Sequence, residues 1–262
     1  MVECYLDAIG VAAPGIENWG NLQQILRGEI AYEPTPLSRY TPQSLPANER
    51  RRASQLVRLA FRSIEQILSQ LPDSGYSSVF CSSGGDYDIF HKICSALALP
   101  EKIVSPTQFH NSVHNAPAGY WSIATQNKHP STTISAFDYS FVMGLVDCVC
   151  QLQNEAQQVL LASYDMVPPE PISFSRNVAA DFSASFLFSK QQNSKSLCKI
   201  SVESTPSSNA PNTLSQAALE SLRTGNAAAR CLGLLSAIAN CEDNVALEMD
   251  GGHRLKLNLE HL

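Results

Sequence analysis

The sequence lacks most of the short signatures that announce chemistry. Its eight cysteines form no CxxC pair, so a zinc or thiol redox site is not expected. There is no GxGxxG, no GxxxxGKS/T and no GxSxG, which removes the common dinucleotide, phosphate-loop and hydrolase-elbow readings. Basic residues are scarce. Eighteen Lys and Arg face 24 Asp and Glu, a net charge of −6, which disfavours a nucleic-acid or anionic-membrane surface. No apolar run is long enough to span a bilayer. The start, Met1-Val2-Glu3-Cys4, lacks the basic and apolar regions of a signal peptide. Cys4, Cys81, Cys94, Cys148, Cys150, Cys198, Cys231 and Cys241 therefore read as reduced, mostly buried thiols of a cytoplasmic protein. Neither a metal nor a cofactor is expected.

What is present is apolar material in ordered patterns. With 262 residues and 44% hydrophobic content, the chain can bury a substantial core as one domain, 1–262. Residues 2–12 alternate like a strand and end at the Ala13-Pro14-Gly15 turn. A helix is expected over Trp19–Gly28, then a proline-marked loop over 32–47. Leu56, Val57, Ala60, Ile64, Ile67 and Leu68 recur at helical spacing, which predicts one helix over Glu49–Leu71. Arg50-Arg51-Arg52 would open it. They are either a solvated helix start paired with Glu49 or a basic patch for an acidic partner. A turn at Pro72–Gly75, a strand at Tyr76–Cys81, a Ser82-Ser83-Gly84-Gly85 connection and a helix at Tyr87–Leu99 follow.

The centre of the chain is Phe109–Asp165. A loop rich in Asn, His and Ala leads into an amphipathic run through Tyr120, Trp121, Ile123 and Ala124. A short strand (Thr132-Thr133-Ile134), a turn, a helix over Phe141–Leu152 and a buried-type strand over Val159–Ala162 form a βαβ unit, right-handed by the usual rule. The turn places its side chains at a helix N-terminus, where anions are stabilised. His110 and His114 have the spacing of one helical face. However, the pattern is not HExxH, so they read as hydrogen-bonding groups at a helix entrance. Further on, an extended Met166–Pro171 loop, strands near 182–188 and 197–202, and a Pro/Ser/Asn-rich linker at Thr205–Thr213 are expected. Helices at Leu214–Ser221 and Ala227–Ala239 should follow, then two strands turned by Asp250-Gly251.

These residues resemble the N-terminal half of the β-ketoacyl synthases. Asn115-Ala116-Pro117-Ala118-Gly119 is similar to the family's N-x-A-A-G run before a helix. Ser135-Ala136-Phe137-Asp138 stands where the family has T-A-C-S with its nucleophilic cysteine. Val159–Ala162 stands where a strand ends in A-G-G. An ungapped count puts Asp138 at the nucleophile position; aligning Ser135-Ala136 with T-A puts Phe137 there. Neither is cysteine. Cys148 and Cys150 lie about ten residues into the helix, too far from its start to replace it. After residue 190 there is no HGT-like or GFGG-like run for the family's two histidines.

The resemblance implies an α/β, thiolase-like layered fold, best matched over 1–190, with a reduced C-terminal part over 191–262. More particularly, the chain resembles the short chain length factors, partners of a ketosynthase that lack the nucleophile, of the aryl polyene type. That implies a heterodimer or higher heteromer with a ketosynthase subunit and a possible acyl carrier protein contact at Arg50, Arg51 and Arg52. Interface or tunnel residues would be His110, Asn111, His114, Asn115, Tyr120, Trp121, Phe137, Asp138, Tyr139 and Phe141. For Tyr120 and Trp121, plain core packing is an equal reading. A second functional reading is a degenerate acyl-transfer or malonyl-decarboxylating enzyme using Asp138, His110 or His114. A scaffold without an acyl role is the third.

Overall fold

The computed structural model describes residues 2–72, 75–206 and 213–262. In chain order the regular elements are β1 (Val2–Ala12), α1 (Trp19–Leu26), α2 (Ala47–Arg52), α3 (Gln55–Ile64), β2 (Ser77–Cys81), α4 (Tyr87–Ala98), α5 (Pro106–Asn111) and α6 (Ala116–Thr125). Then come β3 (Ser131–Ile134), α7 (Ser140–Gln153), β4 (Gln158–Asp165), β5 (Phe182–Ser189), β6 (Cys198–Pro206), α8 (Ala217–Gly225), α9 (Leu232–Ala239), β7 (Asn244–Glu248) and β8 (His253–His261). The described strands form one eight-stranded sheet in the order β3-β2-β4-β5-β1-β6-β8-β7.

β3, β2 and β4 are parallel, and β5 returns antiparallel beside β4. The crossover from β3 through α7 to β4 therefore passes over β2. Parallel strands need such a covering helix, and both of their faces are buried. The side-chain alternation shows this directly. Val79, Cys81, Val159, Leu161, Phe186 and Phe188 pack with α1, α7 and α9 on one face. Phe80, Leu160, Ala162, Tyr164 and Leu187 pack with α3 and α6 on the other. In β1 the register shifts between Leu6 and Ala8. This bulge lets Leu6 and Ile9 share a face. The bulged Asp7 is buried, and its carboxylate accepts from Asn193 Nδ2 and Ser196 Oγ, both at 2.8 Å. At Gly10 a Cβ would meet Ser63 O at 2.1 Å, so the close approach of α3 requires glycine there.

Residues beyond 190 extend this same sheet. β8 lies between β6 and β7 and alternates buried Leu255, Leu257 and Leu259 with exposed Lys256 and Glu260. α8 and α9 cover its inner face. The turn from β7 to β8 carries Gly251 and Gly252 at φ 68° and 77°, as the Asp-Gly signal requires.

Several elements differ from the sequence reading. The helix expected over Glu49–Leu71 is broken. Ala53 leaves helical geometry at ψ 126°, and Ser54 caps a new helix by accepting from Val57 N. Arg58 laces the break, donating to the carbonyls of Ala53, Tyr40 and Arg50. Arg50-Arg51-Arg52 thus lie in the last turn of α2, not at the start of a long helix. Residues 109–111, read as loop, belong to α5, which has Pro106 in its first turn. β4 and β6 are longer than expected, and the Ala227–Ala239 helix begins as a 3-10 turn. Asp73 and Ser74 of the expected turn, and 207–212 of the expected linker, lie outside the described residues. Among the described residues, no helix is long and apolar enough to cross a membrane.

Candidate functional site

The parallel strands β3, β2 and β4 end at one edge of the sheet. In open α/β sheets the carboxyl ends of the strands are where ligands bind. Three connections meet at this edge: 135–139 after β3, 82–86 after β2, and the segment that follows Asp165 at the end of β4.

The first is a strand-to-helix elbow. Ser135 Oγ donates to Ser83 O at 3.0 Å, tying the first connection to the second. Ser140 Oγ accepts from Ala136 N at 3.0 Å and donates to Phe137 O at 2.7 Å, closing the turn that starts α7. Within this closed turn Phe137 has φ 52°, a region that aromatic residues rarely enter. The residue is 59% exposed. The Arg176 guanidinium lies 3.9 Å from the centroid of that ring. Arg176 also pairs with Asp138, Nη2 to Oδ1, at 2.8 Å. Asp138 is therefore turned toward Arg176 at the start of α7, where a carboxylate is favoured by the helix dipole.

Behind the elbow is Asp165, fully buried. Its Oδ1 accepts from Ser82 Oγ at 2.8 Å, Ser83 N at 2.9 Å and Ser83 Oγ at 2.9 Å. Its Oδ2 has no partner. Burial pushes its pKa up to about 6, opposed by these hydrogen bonds and the charge of Arg176. The Ser-Ser-Gly-Gly connection is thus organised around an internal carboxylate. Neither Asp165 nor Arg176 stood out in the sequence. Each acts across a gap in the chain, and a lone Asp or Arg near prolines carries no periodic signal.

The residues singled out by sequence fall into separate places. Phe137, Asp138 and Tyr139 share the elbow; Phe141 is one turn on and fully buried, its ring centroid 5.6 Å from that of Phe186. His110 and His114 are not on one helical face, because α5 ends at Asn111. His110 stands edge-on to the Tyr120 ring at 6.2 Å. His114 Nε2 is 3.2 Å from Ser82 O, and burial lowers its pKa. Asn111 is buried and donates to Arg52 O at 2.9 Å. Asn115 is exposed at the start of α6 and makes no side-chain cap. Tyr120 and Trp121 are core residues of the chain itself: Trp121 donates to Tyr76 Oη at 3.1 Å and packs edge-on against Phe61. Arg50 donates to Leu45 O, Arg51 to Asn48 Oδ1, and Arg52 is 3.6 Å from Glu49. Cys148 is buried in α7 with its thiol pKa pushed up by burial, whereas Cys150 is exposed.

Beside this edge lies an uncovered apolar surface. α4 is twelve residues long, yet Ile89 is its one buried residue. Phe90, Leu97, Leu99, Ile103, Phe109 and Val113 are exposed along α4, α5 and their connection, Ile103 by 77% and Phe109 by 69%.

No curated protein matches the chain in sequence. Solved structures share its fold. One is a chain from the complex of ketosynthase ApeO with its chain length factor ApeC from Xenorhabdus doucetiae. It has a TM-score of 0.76 at 18% identity, with 98% of this chain and 100% of that chain covered. The ishigamide ketosynthase/chain length factor gives 0.73 at 11% identity, with 100% of both chains covered. A β-ketoacyl synthase from Burkholderia phymatum STM815 gives 0.70 at 11%, again over 100% of both. The family model of the β-ketoacyl synthase N-terminal domain matches residues 22–248, well past residue 190. A match over that much of the sequence, on this strand order, means that the chain belongs to the β-ketoacyl synthase family by its N-terminal domain and has the thiolase-like ketosynthase fold.

Proposed function

We propose that the protein is the non-catalytic chain length factor of a ketosynthase pair, working in the cytoplasm in polyene assembly of the aryl polyene kind. The observation that carries this reading is the elbow. A condensing enzyme loads its acyl chain on a thiolate at such a helix start. Here the strained position holds Phe137, a bulky ring without a nucleophile. What a phenyl group can do there is exclude methylenes by volume. In this reading the ring is the stop at the end of the partner's acyl tunnel, and its position sets how many elongation cycles fit.

The uncovered surface of α4 and α5 supports the pairing. Side chains the size of Phe109 and Ile103 each contribute roughly 1.5–3 kcal/mol when fully covered. Patches of contiguous exposed apolar residues mark interaction sites. The occupant we infer is a ketosynthase of the same fold, joined across a pseudo-twofold axis as a heterodimer. Arg51 and Arg52, both exposed, are where an acidic acyl carrier protein would dock.

The test is reconstitution with a ketosynthase from the same source, malonyl-carrier protein and a starter. Elongation should need both proteins, and Phe137→Ala should lengthen the products. Carbon dioxide released by this chain alone, and lost on Asp138→Asn, would overturn the reading in favour of a free-standing decarboxylating enzyme.

A further inference from the structure

Arg176 does not belong to the turn that it holds. It follows the 3-10 turn Ile172–Phe174, in the connection between β4 and β5, and its backbone N–H donates to Ile172 O at 2.9 Å. From there the guanidinium reaches back to the elbow. It covers the Phe137 ring at 3.9 Å and binds Asp138 at 2.8 Å. Its side chain is only 13% exposed, whereas Phe137, whose ring it covers, is mostly exposed. A flat cation covers one face of the ring, and the Ser140 hydrogen bonds hold the backbone turn that carries it, so the ring keeps little freedom. Asp138 fixes the guanidinium in turn, and the buried Asp165 carboxylate lies near enough to feel its charge. The assembly therefore has three parts: a ring, a cation that holds it and a carboxylate that holds the cation.

We propose that Arg176 is the positioning residue of the elbow, locking the Phe137 ring in one orientation so that a growing acyl chain meets a rigid stop. The proposal rests on the reading of Phe137 as that stop. Bulk alone blocks a chain on average, whereas a ring free to rotate yields to some chains and not to others. Arg176 thus governs how sharp the length limit is, as well as where it lies.

The test compares products of the reconstituted pair by mass spectrometry, with recovery of the purified pair as the folding control. Arg176→Ala should broaden the distribution toward longer chains by at least one elongation cycle. Arg176→Lys, which keeps a cation over the ring, should narrow it again. Phe137→Leu keeps an apolar side chain but loses the aromatic face and some volume, so it should broaden the products at least as far as Arg176→Ala does. Should Arg176→Ala not be recovered, Asp138→Asn, which loosens the guanidinium and leaves the ring whole, decides: it should broaden the products, and an unchanged distribution overturns the clamp. If Phe137→Ala lengthens the products while Phe137→Leu and Arg176→Ala leave the wild-type distribution, the clamp is overturned and the stop stands. If Phe137→Ala also changes nothing, both fall.

Discussion

Holding Phe137 at φ 52° costs on the order of 1–2 kcal/mol. A guanidinium over an aromatic face returns about 0.5–2 kcal/mol. The two nearly cancel, so the side chain at the elbow contributes little to stability. Phe137→Gly should therefore change the unfolding free energy by no more than about 1 kcal/mol. Phe141→Ala, one turn along in the core, should cost about 3–5 kcal/mol. Urea unfolding of both variants checks the contrast. Asp165 gives a second prediction at this scale. Its folded pKa is raised from 3.8 to about 6, so the native state holds a proton that the unfolded chain releases between those values. The stabilising effect of the protonated form is complete below pH 3.8 and is lost as pH rises through about 6, on the order of 2–3 kcal/mol. Asp165→Asn removes this dependence. The variant should gain stability relative to wild type between pH 4.5 and pH 7, read as the difference in urea midpoints.

At the scale of elements, the α2–α3 break shows what periodicity hides. The apolar spacing from Leu56 to Ile67 is real and packs one face of the sheet, while Leu68 is left exposed; a periodic run says nothing about where a helix is interrupted. The interruption rests on the Ser54 cap and on Arg58, which reaches three backbone carbonyls. Ser54→Ala should cost about 1 kcal/mol. Arg58→Ala should cost more than Ser54→Ala, because it leaves all three carbonyls without their charged donor. Differential scanning calorimetry would rank them. α4 is the opposite case, a helix whose apolar face has no cover in the chain. Ile103→Asp and Phe109→Asp should leave the melting temperature of the free chain nearly unchanged, since both are already exposed. On the proposed pairing, the same changes should abolish capture of a co-expressed ketosynthase in a tagged pull-down.

For the whole molecule, the sequence made the strands of the sheet legible because alternation and turn residues are local signals. The β3–α7–β4 crossover and the Asp250-Gly251 turn could be read directly for that reason. The pairing of β6 with β1 and with β8 could not, since pairing across the sheet leaves no mark on either strand alone. At the site, Phe137 and Asp138 became candidates through the resemblance of Ser135-Ala136-Phe137-Asp138 to the family's nucleophile segment. The choice of which one takes the strained position, and the part of Arg176, came only with tertiary structure: Arg176 lies far along the chain, behind a proline-rich loop. The uncovered α4–α5 surface likewise shows only when the rest of the core is in place. If this surface meets a ketosynthase, the mass of the chain in solution must show it. Co-expressed with the ketosynthase of its source and sized by light scattering, the chain should elute as one heterodimer with equal amounts of both proteins. A stable monomer of 28.5 kDa eluting apart from the ketosynthase would contradict the central claim.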